Sequence, residues 1–305
     1  MSDDRRFAVA NLLEDFRVHL QTTCGVSSGT MYRYTTHAKE FLQWKSEDEI
    51  DLSRICPADL IAFVSEYAFR HKPKTSKLAV TSIRSFLRFL QLKGLCNAHL
   101  VDAVPTVPAW KLSSLPTYLS SSQVDQLLRV FDRTTDTGRR GYAIAQCMLL
   151  LGLRAGEVAR LSLDDIDWQT GIVGIPKTKT RRVDKLPLPT AVGETIVAYL
   201  RDGRPPTSER RIFVSHGYPR GKTLRSSAVS RIIRKAICLS GIEVTSKGSH
   251  ILRHTAATRM VQAGASLKQI SDVLRHRHLD TTMIYAKVDL PHLREVAMAW
   301  PEVKP

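Results

Sequence analysis

Pro105, Pro108 and Pro116, set around Ser113 and Ser114, interrupt this chain at one place. Proline fixes φ and lacks a backbone N–H, so neither helix nor sheet is expected to run through residues 105–117. The flanks must therefore fold as separate units, and they are patterned differently. Ahead of the break, apolar residues recur at helical spacing: Leu12, Phe16 and Leu20, then Ala38, Phe41 and Leu42, then Leu60, Ile61 and Val64, then Ile83, Leu87 and Leu90. Ser27-Ser28-Gly29, Pro57 and Pro73 punctuate them. This half is expected to be all helix.

Beyond the break the pattern is mixed. Ser120 with Gln123 predicts a capping box, followed by the stripe Val124, Leu127, Leu128 and Phe131. A buried helix is expected to end at Gly152, and a short one to cover about 157–161. Gly171 to Ile175 and Val183 to Leu188 read as strands around the basic turn Lys177 to Arg182. Helices are expected near 191–201, 227–239, 250–263 and 267–274, with Ser266 and Gln269 as a second capping box and Gly264 as a C-cap. The acids Asp165 and Asp167 are expected to terminate a helix ahead of the hairpin. The fold class is thus mainly α with a small antiparallel β-hairpin. Residues 1–104 form a helical unit, 105–117 a linker with its break near 112, and 118–305 a mixed α+β unit.

The charge balance bears on partners. Lys+Arg 45 against Asp+Glu 29 leaves +16, which favours a polyanion because neutralised phosphates release condensed counterions. Cys24, Cys56, Cys96, Cys147 and Cys238 are scattered, odd in number and form no Cys-x-x-Cys pair, which argues for reduced thiols in the cytoplasm. The start has no apolar run typical of a signal peptide, and the apolar stretch around Ala143 to Leu151 is about half a membrane span.

Five segments of the second half carry chemistry: Gly152 to Glu157, Lys177 to Lys185, His250 to His254, Leu274 to His276, and Thr281 to Tyr285. Metal-free phosphoryl transfer on DNA needs two guanidiniums on the non-bridging oxygens, a nucleophile in line, a proton acceptor for it and an acid for the leaving oxygen. A tyrosine hydroxyl, with a reference pKa of about 10, is a weak nucleophile without a base and nearby positive charge. The inventory is complete: Arg154 and Arg253 as clamps, His250 as base or hydrogen-bond partner, a lysine as acid, His276 as phosphate donor and Tyr285 as nucleophile.

With these residues the sequence resembles the tyrosine recombinases of the lambda-integrase and Xer type. Gly-Leu-Arg-Ala-Gly-Glu resembles the family's first arginine box, with an acid three residues after the arginine. His-Ile-Leu-Arg-His-Thr-Ala-Ala-Thr resembles the His-x-x-Arg box. In Leu-Arg-His-Arg-His-Leu-Asp-Thr-Thr-Met-Ile-Tyr, His276 precedes Tyr285 as the family's last box requires. The resemblance spans about residues 115–290, and the helical front half and Leu-Pro-Thr-Tyr-Leu-Ser resemble the family's SAM-like core-binding domain and junction. It implies a 3′-phosphotyrosyl intermediate with a free 5′-hydroxyl, no cofactor or metal, double-stranded DNA as partner, a synaptic tetramer on two duplexes and a C-shaped clamp. It also implies a hairpin lysine as acid: Lys179 counting back from Pro187, with Lys177 the alternative. The family commonly has glycine where this chain has Arg275.

Other readings are weaker. His250 and His254 stand at zinc spacing, but their segment lacks the glutamate of a zinc protease and puts Arg253 between them. His254 and His278 are read as structural or solvent-facing. Gly221-Lys222-Thr223 misses the P-loop spacing, and Asp165 to Asp167 lacks an EF-hand glycine. A type IB topoisomerase is disfavoured by His250, and a DNA-binding protein with a decayed site by the complete residue set. The segment after Tyr285, with Leu290, Leu293, Val296 and Met298, is amphipathic and expected to dock on a neighbouring subunit. Target sequence, accessory proteins and the choice between mobile-element integration and dimer resolution are not legible.

Overall fold

The computed structural model of the chain describes residues 6–45, 49–97, 99–108, 116–176, 183–245, 247–276 and 278–288. They belong to two compact units, residues 1–111 and 112–305.

The first unit is built from α1 (Val9–Thr22), α2 (Ser28–Lys45), α3 (Pro57–Arg70), α4 (Pro73–Leu92) and the short α5 (Leu100–Ala103). Pro57 and Pro73 do more than interrupt: each sits in the first turn of its helix, where the missing N–H costs nothing because it has no partner in the helix. The apolar stripes read from the sequence meet in one core, in which Phe16 lies edge-on to Phe86 with centroids 5.0 Å apart. Burying such a ring contributes about 2 kcal/mol or more. One expectation is corrected. Strands β1 (Arg6–Ala8) and β2 (Glu49–Asp51) pair antiparallel, so this unit is not purely helical. Three-residue strands are too short to show a period of two in sequence.

The second unit opens with α6 (Ser121–Arg129), capped by Ser120 and Gln123 as expected, and the buried α7 (Asp136–Leu150). The short α8 (Ala155–Arg160) leads to a three-stranded antiparallel sheet of β3 (Ile166–Asp167), β4 (Ile172–Pro176) and β5 (Val183–Pro187), with β4 central. Val173 and Ile175 face the core from β4, and Pro176 pairs with Val183 at the hairpin end. Strand β3 is not expected from the sequence. The Asp165 carboxylate caps a 3₁₀ turn by accepting from the Ser162 N–H, and Asp167 accepts from the N–H groups of Gln169 and Thr170. These acids shape turns on either side of β3.

Helices α9 (Thr190–Asp202), α10 (Ser226–Leu239), α11 (His250–Gln262) and α12 (Leu267–Leu274) follow close to the expected bounds. Most of the unit shares one core. A smaller apolar cluster gathers Ala257 and Val261 of α11, Ile270 and Leu274 of α12, and Tyr285 from the 3₁₀ turn Met283–Val288. Among the described residues no helix is long and apolar enough to cross a membrane.

Candidate active site

Three chain reversals assemble the site. The first follows α7, where Gly152 takes φ +60°, and a Cβ there would lie 2.5 Å from Leu274 Cδ2. Only glycine meets both conditions at low cost. The chain then enters α8 with Arg154 as N-cap and Glu157 at the third helical position. The carboxylate accepts from the Arg154 backbone N–H at 2.8 Å and from its Nη1 at 2.8 Å. An acid three residues after the arginine is therefore a helix cap that also fixes the guanidinium.

The second arginine comes from α11. Arg253 is 4% exposed. Its Nη1 donates to the Gly152 carbonyl at 2.5 Å and its Nη2 to the Leu274 carbonyl, which ties α11 to the ends of α7 and α12. Nη1 is also 3.8 Å from Glu157 Oε2. Burial, reinforced by repulsion from Arg154, lowers the Arg253 pKa to about 9, so it stays charged at neutral pH. Arg154 and Arg253 thus converge on one carboxylate. Burial would raise the Glu157 pKa, but Arg275, the Arg154 N–H and the Arg154 charge together hold it below its ordinary value.

The third reversal is at Arg275, the C-cap of α12, with φ +55° and ψ +47°. Its Nη2 donates to Glu157 Oε2 at 2.8 Å. His276 follows, half-buried, with Nδ1 2.6 Å from Thr282 Oγ1. Burial first, then the Arg253, Arg154 and Arg275 charges, lowers its pKa to about 4. It is a neutral imidazole at physiological pH.

Tyr285 is 2% exposed, its ring in the small cluster and its hydroxyl 2.8 Å from His254 Nδ1. Burial raises the phenol pKa to about 12 against the pull of Arg253 and Arg154. Burial, then the charges of His250 and Arg253, lowers His254 to about 4. Both partners are neutral at pH 7, and the ring nitrogen lies within hydrogen-bond distance of the phenol, the reach that proton transfer between them requires.

The structure brings together Arg154, Arg253, His276 and Tyr285. His250 opens α11, exposed, one turn ahead of His254. Lys179 and its alternative Lys177 lie outside the described residues, as does the segment after Val288. His254, read from the sequence as structural or solvent-facing, is the histidine that touches Tyr285. Its position one helical turn after His250 is the available signal, since residues four apart share a helix face. Glu157 reads in the sequence only as part of the arginine box, whereas it anchors three guanidiniums.

Residues 117–292 match the phage integrase family, and residues 13–94 match the phage integrase N-terminal SAM-like domain. A Sinorhizobium fredii protein named as an integrase/recombinase, y4rA, is 38% identical over 300 residues, covering 98% of this chain and 73% of that one. Tyrosine recombinase XerC of Thermodesulfovibrio yellowstonii is 27% identical over 300 residues, covering 95% of each chain. The crystal structure of XerH site-specific recombinase bound to palindromic difH substrate, a post-cleavage complex, superposes with TM-score 0.77 at 19% identity over 97% of this chain and 85% of that one. That similarity shows a shared fold.

Proposed function

This chain belongs to the phage integrase family and is a tyrosine site-specific recombinase, and on that premise we propose that Tyr285 is the nucleophile of a cofactor-free strand cleavage. The observation that supports this assignment best is the gathering of Arg154 and Arg253 on Glu157, close enough to the buried phenol for both charges to lower its pKa.

In the proposed reaction the phosphate non-bridging oxygens bind the Arg154 and Arg253 guanidiniums, with His276 as a further donor. Tyr285 Oη forms a bond to phosphorus and its proton passes to an imidazole of α11. His254 is in contact with the hydroxyl in the DNA-free chain, and His250 stands one turn earlier at the open end of the helix. The P–O5′ bond breaks, and the leaving oxygen takes a proton from Lys179, or from Lys177 in its place. The 3′-phosphotyrosyl ester conserves the diester's energy, so a 5′-hydroxyl from a second duplex reverses the step without ATP or metal.

Each chain supplies one Tyr285, and exchange between two duplexes cleaves four strands. A tetramer on two double-stranded DNA segments is the assembly this stoichiometry requires. Exposed Arg220, Lys222, Arg225, Arg231, Arg234 and Lys235 suit backbone contacts that position without reading sequence. In this division of labour residues 1–104 hold the duplex, 105–117 link, and 118–305 carry the chemistry. The cytoplasm is the expected compartment for an enzyme acting on the cell's DNA.

The test uses inverted repeats from the DNA flanking the gene, placed in a nicked suicide duplex. A covalent protein–DNA adduct that forms with the native chain and is absent with Tyr285→Phe supports the assignment. Adduct formation by Tyr285→Phe refutes it.

A further inference from the structure

Arg275 occupies the one left-handed backbone position that the described non-glycine residues adopt. Holding an L-residue there is strained by the approach of its Cβ to the backbone, which glycine avoids. A second cost is local. The side chain is 4% exposed, and its buried Nε has no hydrogen-bond partner among the described residues. An orphaned buried donor gives up its hydration with nothing in return. Neither penalty is needed to end the helix, because glycine would end α12 without them.

What the side chain does instead is specific. Nη1 is held by the Val273 carbonyl at 2.6 Å, and Nη2 by Glu157 Oε2 at 2.8 Å. Oε1 of the same carboxylate takes Arg154 Nη1, while Arg253 Nη1 stands 3.8 Å from Oε2. Oε2 also accepts the Arg154 backbone N–H at 2.8 Å, so Arg154 engages both carboxylate oxygens and Arg275 adds a cationic side-chain donor on Oε2. Without it Oε2 keeps the Arg154 N–H but loses its nearest side-chain cation, and Arg253 Nη1, 3.8 Å away, is the guanidinium placed to replace it at the expense of a third anion. The cluster also holds three guanidiniums against one carboxylate, a local excess of two positive charges in a half-buried pocket. Such an excess is unfavourable in the empty protein and suited to receiving a phosphodiester.

We propose that Arg275 is a positioning residue for strand cleavage: by supplying the cationic partner of Glu157 Oε2 it leaves Arg154 and Arg253 aligned and under-neutralised for the scissile phosphate. This rests on the assignment of Arg154 and Arg253 as the phosphate clamp.

The experiment measures single-turnover adduct formation on the suicide duplex, duplex affinity and thermal midpoint for the native chain, Tyr285→Phe, Arg275→Gly and Arg275→Lys. Arg275→Gly is expected to keep or raise the midpoint, since strain and the orphaned donor vanish. It is expected to slow adduct formation on the order of 10- to 100-fold, with affinity changed about threefold or less. Arg275→Lys, which keeps a charge on Glu157, is expected to recover part of the rate. Native-rate cleavage by Arg275→Gly overturns the proposal while the clamp stands, as does a rate loss matched by a falling midpoint. A native chain that forms no Tyr285-dependent adduct removes the clamp assignment itself, and the proposal with it.

Discussion

The Tyr285 hydroxyl lies 2.8 Å from His254 Nδ1, inside a ring of apolar side chains from α11 and α12. The proposed nucleophile is therefore held protonated and out of solvent, its pKa raised to about 12, with a neutral imidazole as its polar partner. Adduct formation requires this pair to separate or to pass its proton as phosphate arrives. His254→Ala is expected to slow adduct formation by about 100-fold, the usual weight of a positioned base. Quench-flow measurement of the adduct decides it, and a native rate in His254→Ala would remove His254 from the reaction.

Replacing the phenol itself separates chemistry from stability. Tyr285→Phe keeps the ring in its cluster and loses one hydrogen bond, so it is expected to cost about 1 kcal/mol and to abolish the adduct completely. Chemical denaturation and a denaturing gel of the trapped complex check the two halves.

Stability should depend on pH in a defined window. His254 and His276 titrate near 4 in the folded chain, below the usual value of 6.5. Between those values the unfolded chain binds protons that the folded one does not, so stability is present above about pH 6.5 and is lost as pH falls toward 4. The thermal midpoint of the DNA-free chain is expected to fall across that range and to fall less in His254→Gln/His276→Gln. A midpoint that rises on acidification contradicts the burial of these imidazoles.

Gly152→Ala tests the first chain reversal. The new Cβ meets Leu274 Cδ2 at 2.5 Å in a left-handed backbone, and the displaced carbonyl is the acceptor of Arg253 Nη1. A loss of about 2 kcal/mol is expected, or a midpoint lower by roughly 4–8 °C for a unit of this size. Cleavage should fall as well, because Arg253 loses its anchor. Calorimetry with the adduct assay measures both, and an unchanged midpoint would contradict the packing of Gly152 on α12.

Glu157→Gln leaves three guanidiniums around a neutral amide. Removing one partner of a buried ion pair costs about 3–5 kcal/mol. The variant is expected to be destabilised on that scale and to recover more than the native chain when sulfate is added, because the anion restores the missing charge. Thermal midpoints with and without sulfate provide the check, and equal sulfate responses would contradict the shared-carboxylate geometry.

Helical periodicity, the Ser120–Gln123 and Ser266–Gln269 caps, the hairpin strands and the order of the basic and histidine segments are legible in the amino-acid sequence. They are local features, set by residues within a few positions of each other. Strands β1, β2 and β3 are not legible in the same way, since two or three residues cannot display an alternation. The resemblance to the recombinases implies one set of Arg154, Lys179, His250, Arg253, His276 and Tyr285. The structure gathers Arg154, Arg253, His276 and Tyr285 and leaves His250 exposed at the start of α11, while Lys179 lies outside the described residues.

Sequence alone determined which chemical groups the second unit has to work with and the order in which its elements present them, because helix stripes, caps and proline breaks are short-range physics. Tertiary structure alone decided that His254 is the imidazole on Tyr285, that Gly152 and Leu274 hold Arg253, and that Arg275 shares Glu157 with Arg154. The contacts concerned join residues 31, 101 and 118 positions apart. No local pattern encodes a hydrogen bond across that much chain; packing of α7, α12 and the Met283–Val288 turn on α11, with α8 following directly from α7, is what brings donor to acceptor.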